Sequence, residues 1–372
     1  MRVALDVSAV PPKIAGAGRY IAEVADRLPE LDVDTTLVTR RGDTARWRAR
    51  SPRATIAALV PNNRGLRLAY EATRLGSTKV ARGVDVWHAP HYTMPRGSKT
   101  PMVVTIHDLT LFTHPEWHER AKVNFFQRAM RYSTNHAKVL VCVSDFTARE
   151  LRDVLAPSAR VVVAPLGVDH GRFHPDASAD GALLAGAQLH ASKPYLFFLG
   201  TLEPRKGLDV LLRAFGPLAA LDDELELWIA GQSGWGLGPL ADAIRTHPYA
   251  SRIRRLGFVD EELLPALLRQ ARVVVYPSRG EGFGLPVLEA MACGATVVTT
   301  RDTVMAEVAG DGAVLTTAGD ERELGQSLFD LLAESNDERR ARVARALANA
   351  APFTWERTMS VHLEAYRLAA GS

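Results

Sequence analysis

Cysteine is nearly absent from this 372-residue chain, which has only Cys142 and Cys293. Both sit in apolar surroundings, VLVCVS and EAMACG, so they read as small core residues and exclude a disulfide framework. A reducing, cytoplasmic setting is expected. Long hydrophobic runs are lacking as well: nothing approaches the roughly 18 apolar residues that span a bilayer. The opening MRVALDVSAVPP is too short and too alternating for a signal peptide and reads as a first strand. Low-complexity tracts are missing, and so is any helix-spaced metal motif of the H-E-x-x-H kind.

What is present is ordinary globular material, 47% hydrophobic and 23% charged, with length for two or three domains. The net charge of +3 is unevenly divided. Residues 1–172 hold 26 Lys/Arg against 16 Asp/Glu, a balance of +10, and residues 173–372 hold 19 against 26, a balance of −7. A basic first half suits an anionic partner such as a membrane surface, a phosphorylated acceptor or nucleic acid. A solvated surface of uneven charge accounts for it equally. The basic segment Arg40–Arg53, RRGDTARWRARSPR, fits lipid headgroups or a mobile loop. It lacks the stacking aromatics of a single-strand binder, so nucleic acid is not an expected partner.

Apolar strand-like runs alternate with amphipathic helix-like runs. In the first half the strands fall at 3–7, 35–38, 84–88, 102–107, 139–143 and 161–164. In the second they fall at 195–199, 225–230, 253–256, 273–276 and 296–299. Helical spacing fits 18–28, 122–136, 145–155, 207–221, 261–270 and 286–293. Strands apolar on both faces and separated by helices predict parallel sheets covered on both sides, about six strands in each half. The boundary is expected within 169–193, a stretch without strong periodicity. The resulting division is 1–172, 173–354 and a C-terminal helix, 355–372, returning to the first domain.

The stretch Gly280–Gly294, GEGFGLPVLEAMACG, carries the clearest chemistry. Pro286 suits the first turn of a helix and Gly294 its C-terminal stop. The glycines let backbone N–H groups approach a ligand, and the helix N-terminus favours an anion. Glu281 lies in the loop and Glu289 one turn inside the helix, each able to accept from hydroxyls. A ligand joining phosphate to two hydroxylated rings has that composition, as a nucleotide sugar does. Either glutamate alone would pass for an ordinary helix-entry residue.

This block resembles the glutamate–seven–glutamate segment of retaining GT-B glycosyltransferases, in particular family 4. The resemblance runs over nearly the whole chain. GAGRY (16–20) resembles the family's first glycine loop, and VTIHDL (104–109) its histidine-bearing strand end. VSDFTARELRD (143–153) and APLGVDHGRFHP (164–175) resemble the landmarks before its linker. FLGTLEPRKGLDVLLRAF (198–215) resembles its phosphate-binding turn. Each is weak alone; together, in the family's order, they are specific.

The resemblance implies an α/β, GT-B fold: two Rossmann-like domains facing across a cleft, with a hinge where the last helix crosses back. It implies that Arg205 and Lys206 grip the donor diphosphate, a task for which adjacent cations need no metal. Gly16 and Gly18 would let the other wall approach the same phosphates. Glu289 would bind ribose hydroxyls. Glu281 would bind hydroxyls of the transferred sugar, beside Gly282 and the N–H groups of Phe283, Gly284 and Leu285. Phe258 and Val259 would set backbone groups against the base. His107 would contact the transferred sugar and the acceptor hydroxyl, and His91, Tyr92 and Asp108 would line the acceptor side.

Three features compete with this reading. His88, His91, His107, His114 and His118 could suggest a metal cluster, but their spacing is not that of ligands, and no metal or other cofactor is expected. Asp32-Val33-Asp34 has the form used by metal-dependent transferases of another fold, and here reads as a surface turn. Thr296 and Met305 stand where the family commonly has proline, which bears on donor choice rather than on the reaction. The expected function is retaining transfer of a hexose, GDP-mannose being the preferred donor, to a glycan, glycolipid or lipid-linked acceptor. Peripheral contact with the inner face of an anionic membrane goes with it. A sugar-nucleotide epimerase and a non-catalytic nucleotide-sugar binder are the rival readings.

Overall fold

Thirteen strands form two wholly parallel sheets in the computed structural model, which describes residues 1–12, 14, 16–73, 75–232, 234 and 237–371. The first sheet holds β1 (Arg2–Asp6), β2 (Asp34–Arg40), β3 (Thr55–Val60), β4 (Val86–Ala89), β5 (Met102–Ile106), β6 (Val139–Cys142) and β7 (Arg160–Val163). Its order is β3-β2-β1-β4-β5-β6-β7. The second holds β8 (Tyr195–Leu199), β9 (Glu226–Ala230), β10 (Ile253–Gly257), β11 (Val273–Tyr276), β12 (Val297–Thr300) and β13 (Val314–Thr316), in the order β10-β9-β8-β11-β12-β13. Both are doubly wound, Rossmann-like sheets. In each, the order reverses beside the first strand, between β1 and β4 and between β8 and β11. Loops leaving the carboxyl ends of those strands diverge and leave room for a ligand.

The central strands β4, β5, β6, β11 and β12 are buried throughout, as apolar runs covered on both faces must be. Each sheet has one strand more than the sequence reading finds. The unforeseen β3, TIAALV, is a half-exposed edge, and β13 has only three residues. Neither has the fully buried apolar signature of β4, β5, β6, β11 and β12.

The chain divides into Met1–Gly167 with Trp355–Ser372, and Val168–Thr354. The break at 167/168 lies ahead of the expected 172/173. The Val168 N–H donates to Phe353 O at 3.1 Å, and Arg172 pairs with Glu261 at 2.8 Å, so the chain is committed to the second unit from Val168 onward. The supposedly aperiodic 169–193 holds a short helix, Asp180–Gly186, whose buried Asp180 takes a bidentate fork from Arg269.

The C-terminal helix Trp355–Ala370 buries Trp355, Met359, His362, Tyr366 and Ala369, a stripe at helical spacing, against β4, β5 and β6. Segment 40–53 is not a loop. It forms the helix Thr44–Arg50, and Trp47 is wholly buried, with the Arg46 guanidinium 5.3 Å over its ring. Trp47 is therefore a core residue that cannot insert into lipid. Asp32 sits exposed in a left-handed turn ahead of β2, and both cysteines are buried. Among the described residues, no helix is long and apolar enough to cross a membrane.

Candidate active site

In the second unit the chemistry gathers at the β8/β11 switch point. After β8 the chain makes a single turn, Pro204–Lys206, closed by Gly207 in the left-handed region, and enters the helix Leu208–Leu221. After β11 it runs through Pro277–Gly284 into the helix Leu285–Ala292, with Pro286 in its first turn and Gly284 at its N-cap, φ +100°. An α-helix leaves its first N–H groups without partners inside the helix, so Gly284 and Leu285 present donors at the positive end of the helix dipole. Arg279 ties the two loops together by a fork onto Asp209, at 2.9 and 2.7 Å. From β12, the Thr299 and Thr300 hydroxyls donate to Tyr276 O and Ser278 O.

Four ionised side chains meet there. Glu281 Oε2 accepts from Arg205 Nη1 at 2.8 Å. Glu281 Oε1 accepts from Lys206 Nζ at 2.5 Å, Ser278 Oγ at 2.7 Å and Tyr276 Oη at 3.1 Å. Arg205 also donates to Gly280 O at 2.9 Å, and its Nε lies 3.3 Å from Glu203. Burial pushes the Glu281 carboxyl up, but the Arg205 and Lys206 charges outweigh it and hold the group at about 2. For Lys206 burial dominates and lowers the ammonium, with Glu281 opposing. Tyr276 is raised by burial and by Glu281, so its hydroxyl stays a neutral donor.

Glu281 is more engaged than an open carboxylate: its oxygens accept from four donors, three on Oε1 and one on Oε2, and it holds the two cations side by side. Tyr276, Ser278 and Glu203 belong to the cluster and were not foreseen. Their signal was their position, at strand ends beside residues already singled out. Glu289 is buried in the helix that Gly284 opens, together with Phe283, which packs edge-on to Phe353. Gly282 lies in the same loop. Phe258, 43% exposed, and the half-buried Val259 follow β10 at the sheet's far edge. Met305 is buried against Gly284, its Cγ 3.3 Å from where a side chain there would begin, and Thr296 is buried just ahead of β12.

In the first unit, Gly16 is the N-cap of the helix Ala17–Arg27 with φ +52°, and Gly18 lies in its first turn. His107 directly follows β5 and is buried. Its Nε2 lies 2.8 Å from the Pro90 carbonyl, which can only accept, so Nε2 carries the proton and Nδ1 the lone pair. Nδ1 has no hydrogen bond among the described residues. Tyr20 and Tyr92 present ring edges to the imidazole at 5.2 and 5.7 Å. Burial lowers the His107 imidazole, against the Pro90 carbonyl and Asp108, which raise it. His91 is held at about 3, by burial first and then by His107.

Asp108 is less available than expected. Its Oδ1 accepts from the Thr110 N–H and hydroxyl at 3.0 and 2.6 Å, and its Oδ2 from Tyr92 Oη at 2.9 Å. It therefore anchors the Tyr92 turn, where Tyr92 itself has φ +58°. His88 bonds Tyr366 and Thr105, and among the described residues no cluster of His, Cys, Asp or Glu could hold a metal ion.

Comparison with known proteins bears on the family and the fold. Residues 14–172 match the domain described as Glycosyltransferase Family 4, and residues 193–334 the domain described as Glycosyl transferases group 1. O-antigen chain mannosyltransferase B of Escherichia coli is 32% identical over 286 residues, covering 76% of this chain and 74% of that one. D-inositol 3-phosphate glycosyltransferase of Salinispora tropica is 37% identical over 230 residues, with 57% of this chain aligned but only 46% of the relative's length. Sucrose-phosphate synthase from Thermosynechococcus elongatus has the same fold, with TM-score 0.79 at 18% identity over 100% of both chains. So does Anabaena HepE in complex with UDP-glucose, with TM-score 0.76 at 18% identity over 100% of both chains. The chain is a glycosyltransferase of family 4, built on the GT-B pair of Rossmann-like domains.

Proposed function

We propose that the protein is a retaining mannosyltransferase that moves mannose from GDP-mannose to a hydroxyl of a glycan, glycolipid or lipid-linked acceptor without a metal ion. The observation that carries this is the Arg205–Lys206 pair, fixed by Glu281 at the β8/β11 switch point beside a helix N-terminus. Such donors, oriented before the reaction, stabilise the charge that develops on a departing diphosphate. That is the work a metal would otherwise do. Mannose as the sugar is supported by the name of the Escherichia coli relative.

In this reading Phe258 and Val259 meet the base, Glu289 the ribose, and the N–H groups of Gly284 and Leu285 the phosphates. Gly16 and Gly18 let backbone approach the donor. Glu281 acts through the cations it holds. His107 offers Nδ1 to a hydroxyl of the transferred sugar, with His91 and Tyr92 beside it. Attack occurs on the face the nucleotide leaves, and the departing phosphate oxygen takes the acceptor proton. A double displacement needs a carboxylate nucleophile on the opposite face, and the ones singled out here are paired or assigned elsewhere. The exposed Arg41, Arg48 and Arg53 offer contact with an anionic membrane on which a lipid-linked acceptor is carried.

The test is transfer from labelled GDP-mannose to mannose-terminated glycan and lipid-linked acceptors in EDTA, with the new linkage read by NMR. An α-linked product formed in EDTA supports the reading. Turnover only with another nucleotide sugar, only with added metal, or with inversion removes the corresponding part of it.

A further inference from the structure

The cation pair faces as many carboxylates as it has charges. Arg205 and Lys206 stand against Glu281 and Glu203, so the cluster is formally neutral. Each phosphate of a nucleotide sugar brings a negative charge, and for the cations to meet it one carboxylate must withdraw. The two carboxylates are held very differently. Glu281 takes four donors, and its side chain is only 10% exposed. Among the described residues the Glu203 carboxylate makes one ion-pair contact, 3.3 Å from Arg205 Nε, without hydrogen-bond geometry and beyond the range of about 2.7–2.9 Å of strong charge-assisted bonds. Its side chain is 20% exposed, so water can take it up.

Glu203 is nevertheless aimed. It stands two residues before Arg205, and its backbone is held by the Lys206 N–H, which donates to Glu203 O at 3.0 Å. Gly234 lies against its stem: a side chain there would begin 2.6 Å from Glu203 Cγ and 2.9 Å from Thr201 Cγ2. The carboxylate is thus directed at the Nε edge of Arg205 by packing and held there weakly.

We propose that Glu203 is a built-in counter-anion of the donor site, displaced from Arg205 Nε by the donor diphosphate. A diphosphate reaches both cations and recovers part of what breaking the pair loses. Any ligand that displaces Glu203 bears the cost of breaking the pair, so the carboxylate lowers affinity for the diphosphate and keeps the cations neutralised until it arrives. The inference rests on the assignment of Arg205 and Lys206 to the diphosphate.

The experiment is calorimetric titration of the full chain with GDP and GMP, for wild type, Glu203→Gln, Glu203→Asp and Lys206→Ala. Aspartate keeps the charge but is one methylene too short to reach Nε. Glu203→Gln is expected to tighten GDP about tenfold and GMP by no more than GDP, with Glu203→Asp following it. Glutamine binding like wild type, or more weakly, overturns the proposal. Aspartate behaving as wild type while glutamine tightens also overturns it, because the effect is then one of field and not of contact. Lys206→Ala tests the underlying reading separately: GDP affinity unchanged in that variant, or no GDP binding by wild type, removes the diphosphate assignment and the proposal with it.

Discussion

Lys206 and Glu281, 75 residues apart in the chain, are joined ammonium to carboxylate across the β8/β11 switch point. The bond locks the turn after β8 to the loop after β11, so the two cations are positioned before any ligand arrives. It also has a pH signature. Glu281 is held at about 2, far below an unfolded glutamate near pH 4.3. A depressed carboxyl stabilises the fold above its unfolded value and loses that contribution as pH falls through the folded one. Glu281→Gln should lower the melting temperature at pH 7 and lower kcat at least about tenfold, since the cations lose their mount. The stability gap between wild type and variant should close between pH 4.5 and about 2. Wild-type turnover in the variant, or a gap indifferent to acid, would count against this role.

The same two loops meet backbone to backbone at Gly207. A Cβ there would sit 2.0 Å from the Pro277 carbonyl oxygen, and the residue has φ +71°. Gly207→Ala should cost at least roughly 3 kcal/mol and abolish nucleotide binding, because contact and conformation are both violated. Gly319→Ala is the control: its φ of +86° gives the conformational penalty alone, with nothing within 4 Å of the new carbon. Equal melting temperatures in the two variants would show that the Pro277 contact carries no weight.

Much of this was legible in the sequence, for identifiable reasons. The strands β5, β6, β8 and β11 are apolar on both faces, and a run such as VVVY leaves no ambiguity about burial. The site residues follow directly upon strand ends, so locating the strands located them. What was not legible is pairing. Glu281 reads as an acceptor for sugar hydroxyls because its neighbours in sequence are glycines. Its partners Arg205 and Lys206 come from another turn and are brought to it only by the sheet order. Asp108 is similar: its partner Tyr92 leaves β4, the neighbouring strand. Trp47 misleads in the opposite sense, since an arginine-rich segment hides a core residue whose burial only the fold reveals.

The C-terminal helix is joined to the first sheet by a hydrogen-bond chain whose direction can be derived. His362 Nδ1 meets the Thr358 carbonyl and must donate, so its Nε2 accepts from Tyr20 Oη at 2.6 Å. Tyr20 then accepts from Thr105, Thr105 from His88 Nε2, and His88 Nδ1 from Tyr366, each at 2.8 Å. Both imidazoles are neutral. Burial holds His362 at about 4, with the Thr358 carbonyl opposing, and burial together with His362 and His107 lowers His88 well below its usual value. Unfolded histidines bind protons near pH 6.5 while these do not, so the unfolded state takes up more protons as pH falls and stability drops from about pH 7 to pH 5. Protection factors, the exchange rates corrected for the pH dependence of intrinsic exchange, should therefore fall over that range in peptides of β4, β5 and the helix Trp355–Ala370. Tyr366→Phe should lower them at pH 7 as well, leaving His88 Nδ1 unpaired at about 1–3 kcal/mol. Protection factors that are flat with pH would contradict neutral, buried imidazoles.

His107 is the residue whose chemistry the first unit prepares most fully. The Pro90 carbonyl fixes the Nε2–H tautomer, and burial lowers the imidazole, so at neutral pH Nδ1 offers an uncharged lone pair. Protonation would cancel that acceptor, and it occurs only below the ordinary histidine range near pH 6.5. The acid limb of kcat/KM should therefore lie below pH 6.5, activity falling as pH drops. His107→Ala should lower kcat at least about tenfold, erase that limb, and leave the affinity for GDP unchanged, since GDP lacks the sugar that His107 meets. An acid limb that persists in His107→Ala would assign it to another group. A matching loss of GDP affinity would make His107 part of the scaffold, and its contact with the transferred sugar would have to be given up.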